Sequence, residues 1–435
     1  MNGRSASRTV VYAMAAALVL TACGAIPRNG PWTPAGSPGG EATTVFGAKL
    51  AFGLRNDPDD LEWMRQSGVP WAARYTYLAG GVNTNAGWAT YGSSPGAYAA
   101  DYARASAAAG YVPVFSYYQL QQSLPRRGAT EAERDLNNLA DPTTMRAYYA
   151  DFRLLMRSLA ASGGTPVVHV EPDLWGYLQQ HDATATGTVA SVRSSGDPDV
   201  DREPDNAAGF AHALLDLRDR YAPNVLLAIH ASAWGAGPDP IVSTARFDPL
   251  PLAQKTARFL RTLDRDGRGW DLVFHDLVDR DAALGAATVE RHLWWDATDA
   301  TVPNFGRWLA FVRGLSVALD RRVVVWQVPL GNQRYRTMDN TPGHYQDNRA
   351  EYFLEHADLL ASAGVAAVLF GPGIEDATMY TDARKDGITN PPAVTYPGCD
   401  RCNTEVSVYP DDDGGFIRLA VGAYYRIGAV ALPQN

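Results

Sequence analysis

Between Pro166 and Leu178 the chain reads PVVHVEPDLWGYL, and within five residues it sets two carboxylates, Glu171 and Asp173, and an indole, Trp175. Two carboxyls can divide general-acid from general-base work, and an apolar ring beside one of them raises its pKa and offers a stacking face to a pyranose. This composition points to sugar chemistry. Val167, Val168 and Val170 read as a buried strand that Pro172 stops, so both acids fall where a strand ends.

The elements that must hold these groups follow from the hydrophobic pattern. Eight apolar, β-branched runs are predicted as strands: Leu50 to Leu54, Trp71 to Tyr77, Val112 to Tyr117, Pro166 to Val170, Val225 to His230, Leu272 to His275, Val323 to Gln327 and Val365 to Phe370. Helical periodicity separates them, most clearly over Thr143 to Leu159, Ala207 to Tyr221, Leu252 to Leu263, Phe305 to Leu319 and Asp347 to Leu360, with a final helix over Phe416 to Ile427. Continuous apolar strands that alternate with helices predict a parallel sheet with both faces covered, and eight such units predict a (β/α)8 TIM barrel. The competing open, doubly wound sheet lacks its Gly-rich phosphate loop, since the first strand runs into Arg55-Asn56-Asp57.

In such a barrel the chemistry sits at the C-terminal strand ends. Those positions hold Arg74, Tyr75 and Tyr77; Tyr117, Tyr118 and Gln119; Glu171, Asp173 and Trp175; His230 and Trp234; His275, Asp276 and Asp279; Trp326 and Gln327; Glu375 and Asp376. Glu171 or Asp173 is the expected acid and Asp276 the preferred base, with Asp376 as its alternative. Arg74, Tyr77, Tyr117, Gln119, Trp175, His230, Trp234, His275, Trp326, Gln327 and Asp376 are expected to bind substrate, and Trp294 and Trp295 to add stacking faces. His169, His230 and His275 with Asp376 also suggest a metal-dependent barrel, but a His-x-His pair on the first strand is missing, so no metal or other cofactor is expected. The long segment from Gly331 to His344 is expected to cover the barrel mouth.

The string VHVEPDLW resembles the Glu-Pro-Asp motif of family 6 glycoside hydrolases, the inverting cellulases, and the resemblance implies that Asp173 is the general acid. That family's second Asp-rich motif lies upstream, whereas Asp276-Leu-Val-Asp279-Arg-Asp281 lies downstream here. The same segment is similar to the clan of retaining glycosidases with an acid Glu before Pro at the end of strand four, which implies Glu171 for that role. That clan has a nucleophilic Glu at the end of strand seven, where this chain has Gln327. An inverting arrangement with a water between two carboxylates is therefore the expected mechanism. A non-catalytic carbohydrate-binding protein on the same barrel is the rival expectation.

The N-terminus carries Arg4 and Arg8, an apolar stretch from Val10 to Leu20, and Leu20-Thr21-Ala22-Cys23. This resembles the lipobox of bacterial lipoproteins and implies a signal peptide over 1–22 and a lipidated Cys23, so the membrane is an expected partner through that lipid. Residues 23–45 are expected to be a flexible tether, on the order of 25 Å in reach, and 46–435 the barrel domain. Of the three cysteines, Cys399 and Cys402 in PGCDRC are expected to pair in an oxidising, extracytoplasmic compartment. A redox-active pair or half a zinc site are the other meanings of such spacing. A formal net charge of −9 argues against a nucleic-acid partner, and 11 Trp among 435 residues suit a neutral, amphipathic ligand.

Overall fold

The computed structural model describes residues 40–265, 269–288, 293–295, 304–335, 346–372, 402–409 and 412–433. Eight parallel strands close on themselves in sequence order: β1 (Ala51–Arg55), β2 (Ala73–Leu78), β3 (Val112–Tyr117), β4 (Val167–Val170), β5 (Leu226–His230), β6 (Leu272–Asp276), β7 (Val323–Pro329) and β8 (Val365–Gly371). β8 returns to β1 with Phe52 opposite Val368 and Leu54 opposite Phe370, so no edge is left open. The (β/α)8 barrel expected from the sequence is the fold observed. Its strands are buried on both faces, which is why their hydrophobic runs are continuous.

Helices follow the strands on the outside, among them Leu61–Gln66, Ala97–Ala108, Pro142–Ala160, Ala207–Tyr221, Pro249–Arg261, Asn304–Leu319 and Asp412–Gly428. Their starts are chemically marked. Asp141 and Asp248 accept backbone N–H groups before helices that open on proline, and Thr130 with Glu133 forms a capping box at the start of the helix Glu131–Ala140. The helix expected over Asp347 to Leu360 is two, Arg349–Glu355 and Ala357–Ser362, broken where His356 leaves helical dihedrals and its ring stacks on Tyr352.

Helical structure is described N-terminal of residue 46: Gly40–Phe46 is helical, and Ala42, within the segment expected to be tether, is buried, as is Phe46 at the start of the expected barrel domain. Beyond it the C-terminal segment pins the first strand: Leu50 N–H donates to Val430 O, Leu432 N–H to Ala48 O, and the Tyr424 hydroxyl to Leu50 O. All described residues belong to one unit, Ala35–Asn435. Cys23, Cys399, Glu375 and Asp376 lie outside the described residues, as do positions 336–344 of the expected lid.

Candidate active site at the strand ends

β4 ends in a turn that points its two acids in different directions. Glu171 has a φ of 41°, a left-handed conformation that costs a non-glycine residue energy and holds only where its surroundings fix it. They do. Its Oε1 accepts from Gln119 N–H at 3.0 Å, Leu120 N–H at 3.1 Å and the Tyr148 hydroxyl at 3.0 Å, and its side chain is fully buried. Burial pushes its pKa up to about 8 against these three donors. Glu171 is thus a clamp on the loop after β3, whereas the sequence offered it beside Asp173 as a candidate acid.

Asp173, two residues on, stands at the start of the helix Leu174–His181 but does not cap it with its side chain. Its carboxylate accepts instead from the Tyr118 hydroxyl at 3.0 Å. Burial pushes its pKa up to about 6, the neighbouring charge of Asp276 pushes the same way, and His230 and the Tyr118 hydrogen bond pull it down. Near neutral pH Asp173 holds or readily takes a proton, as a general acid must.

Asp276 closes β6 with the opposite electrostatics. Its Oδ1 accepts from His230 Nε2 at 3.1 Å and its Oδ2 from Val278 N–H at 3.2 Å. Burial pushes its pKa up, but the His230 hydrogen bond, the nearness of the His230 and His275 rings and the Val278 N–H outweigh it and hold the carboxyl below its ordinary range. Its side chain keeps 29% of its surface exposed. The loop carrying it is fixed from the next unit: buried Arg349 pairs with buried Asp347 and donates to Leu277 O, Val278 O and Arg280 O. One carboxyl biased toward protonation and one toward ionisation sense each other across the C-terminal face. Such a pair has its acid and base roles assigned by environment.

Beneath them lies a ring of aromatics. Trp326 packs against Tyr75, Tyr77, His169 and His230 at centroid distances of 6.2, 5.9, 4.8 and 6.0 Å. It is there because β7 bulges: Val325 faces Val368 and Val328 faces Phe370, so Trp326 and Gln327 together span one partner position, and Gln327 takes a φ of 58°. The indole N–H of Trp326 and both amide atoms of Gln119 are buried without a hydrogen-bond partner. Of the candidate residues, Tyr77, Trp326 and His230 are thus brought close to one another.

On the outer side, Trp234 rests on Tyr177 at 5.0 Å and stays partly exposed. Gly176 permits this approach, since a Cβ there would lie 2.4 Å from the Trp234 ring. Tyr177 donates to Glu131 at 2.9 Å.

Several expected ligand contacts are core instead. Trp175 is 1% exposed, donates to Val170 O and packs on Phe210 and Trp270. Tyr117 is buried with its hydroxyl on Asp151, and Arg74 is buried, donating to Asn56 O and Asp57 O beneath the Tyr102 ring. Trp294 and Trp295 are buried, the latter among Phe305, Trp308, Tyr352 and Phe353. Trp175, Tyr117 and Arg74 each have a polar handle spent on the scaffold, which a strand-end position alone does not reveal.

His230, His275 and Asp276 bring ligand atoms within 4.8 Å of one another. Their hydrogen bonds are already committed, however. His275 Nδ1 meets Ala231 O at 2.7 Å and its Nε2 accepts from Trp308 Nε1 at 3.1 Å, which leaves neither nitrogen for a cation. Burial pushes the His275 pKa down to about 4, in keeping with this neutral, structural role.

Sequence reasoning placed Tyr118 at a strand end without giving it a role, and passed over Tyr177 and Asp135. Asp135, on the helix Glu131–Ala140, is 1% exposed with both carboxyl oxygens unpartnered, and burial and the charges of Glu171, Asp173 and Glu131 push its pKa well up. The hydroxyl one residue beyond the β3 end was the available signal for Tyr118. Nothing in the sequence places Asp135 beside strand four.

Fold and strand ends define a (β/α)8 barrel with an acidic, aromatic site on its C-terminal face. No family model matches the chain. No curated protein matches it either. Among solved structures it is similar to the GH53 catalytic domain of Ignisphaera aggregans, at 12% identity over 89% of this chain and 93% of that one, with a TM-score of 0.41. It is also similar to the GH26 endo-β-1,4-mannanase catalytic domain of Bacillus sp. JAMB-750, at 13% identity over 89% and 88% of the two chains and a TM-score of 0.47. A Cellulomonas fimi endo-β-1,4-mannanase double mutant matches at 13% identity over 88% of this chain and 72% of that one, with a TM-score of 0.48. These are likenesses of fold.

Proposed function

We propose that the protein hydrolyses a glycosidic bond by an inverting mechanism. The observation that carries this reading is the opposed bias of Asp173 and Asp276: burial raises the first toward protonation, while His230 and its neighbours keep the second ionised. Asp173 protonates the leaving oxygen as the C–O bond breaks, the Tyr118 hydroxyl steadies the carboxylate left behind, and Asp276 takes a proton from the water that attacks the anomeric carbon from the opposite face. Tyr77 and Trp234 supply apolar faces for sugar rings, with buried Trp326 backing Tyr77. Gln327, where a retaining enzyme would carry its nucleophile, supports inversion.

A non-catalytic sugar-binding protein is the second reading, and the absence of an acid at the end of β7 is what favours it. Assay on a panel of polysaccharides separates the two. Turnover that Asp173→Asn and Asp276→Asn each reduce by about a thousandfold or more supports the enzyme. Saturable sugar binding with no turnover in the wild type overturns it.

The reading places the protein outside the cytoplasm, anchored through lipid on Cys23. Its support is the ordered charge, apolar stretch and Leu-Thr-Ala-Cys box of the N-terminus. A Cys399–Cys402 staple fits the same compartment, and its support is the C-x-x-C spacing.

A further inference from the structure

Asp276 is the outer end of a chain of hydrogen bonds that runs into the barrel. His230 Nε2 meets its Oδ1 at 3.1 Å, and His230 Nδ1 meets His169 Nε2 at 3.1 Å. His169 sits on β4, fully buried, stacked on Phe274 at 4.4 Å and edge-on to Trp326 at 4.8 Å. Its Nδ1 has no hydrogen-bond partner. Nothing about catalysis requires a polar ring there, and an apolar residue would fill the interior layer without an orphaned nitrogen.

We propose that His169 is a positioning residue: it fixes the ring orientation and tautomer of His230, and through His230 it holds Asp276 ready to accept a proton. The proton assignment follows from the chemistry of the partners. A carboxylate only accepts, so His230 donates from Nε2. In the neutral imidazole its Nδ1 then bears the lone pair, and His169 must donate from its own Nε2. The unpartnered Nδ1 of His169 is the lone-pair nitrogen that this assignment leaves over. Burial pushes the His169 pKa well down, so the ring is neutral as the assignment needs. The stacked Phe274 and the Trp326 edge keep the His169 ring from turning away.

The catalytic consequence rests on the reading of Asp276 as the base, but the hydrogen-bond chain does not. Asp276 is also faced by Asp173 from the β4 end, by Asp239 from the loop after β5, and by Asp279 and His275 from its own segment. Three of these are carboxyls whose own pKa values the Asp276 charge pushes up, while burial is what pushes Asp276 itself up and the His230 donor is what counters that burial. Removing His169 frees His230 to adopt the other tautomer or to rotate, and Asp276 loses that donor.

Long-range proton–nitrogen NMR of the histidine-labelled full chain tests this without any substrate. In the wild type, His169 and His230 are both expected in the Nε2–H tautomer; either one in the Nδ1–H tautomer overturns the proposal, even if no variant folds. His169→Leu and His169→Asn remove the donor and are expected to give His230 a mixed or Nδ1–H state, and to raise the Asp276 pKa by about one unit or more. His169→Gln, whose amide N–H has similar reach, is expected to restore the wild-type pattern. An unchanged His230 signal in folded His169→Leu overturns the proposal. Where a substrate is in hand, the acidic limb of kcat/KM should move up with the Asp276 pKa. Correct tautomers in a protein without turnover leave this inference standing and remove only the hydrolase reading.

Discussion

At residue scale the account separates two acids that are neighbours in sequence. Asp173 works as an acid only while protonated, so kcat/KM should fall as pH rises through about 6, tenfold per unit beyond it, while Asp276 stays ionised well below that; a pH profile from about 3 to 8 checks this. Glu171→Gln is expected to keep turnover within about tenfold of wild type, because Glu171 touches only the scaffold. The sign of its pH linkage is also set. A folded-state pKa raised to about 8 means that its contribution to stability is complete below the unfolded value of 4.5 and is lost as pH rises through 8. Chemical denaturation of the wild type at pH 5 and pH 8 should show that loss, and Glu171→Gln should flatten it. The sequence placed both carboxyls at the end of β4, but not their opposite orientations, because those follow from a left-handed φ at Glu171 and from donors 23 to 52 residues away.

At the scale of elements, the clamp from the unit after β7 onto the loop after β6 is what keeps Asp276 in place. Arg349→Ala leaves Asp347 buried and unpaired and is expected to cost about 3 to 5 kcal/mol of stability, measured by denaturant unfolding. Arg349→Lys should recover only part of that, since one ammonium cannot reach three carbonyls and a carboxylate together. The strands themselves were readable to within two residues because each is a continuous apolar run in a sheet buried on both faces. The bulge in β7 was not readable: it shows only when Val325 and Val328 are set against β8, and it is what turns Trp326 into the aromatic ring under the site. Trp175 and Tyr117 were misplaced for the related reason that a strand-end aromatic can face the barrel mouth or the surrounding helices, and sequence position does not choose between them.

For the whole molecule, barrel closure and N-terminal tethering are separate matters. The closed sheet fixes where a site can be, and its order from β1 to β8 was legible from the alternation of strands and helices. The helix Gly40–Phe46 was less so, because it is short, is held by Ala42 and Phe46 and has too few turns to show a period. Anchoring is tested in an expressing bacterium: Cys23→Ser is expected to move the full chain from the membrane fraction to a soluble one, whereas a wild-type chain that already fractionates as soluble contradicts the lipid anchor. The central claim, that the two biased carboxylates flank a water, is tested most directly by the anomeric configuration of the first product. Proton NMR of the newly released reducing end, recorded before mutarotation, should show inversion relative to the bond cleaved. Retention would contradict the account, since it requires a nucleophile that neither Asp276 beside a water nor Gln327 supplies.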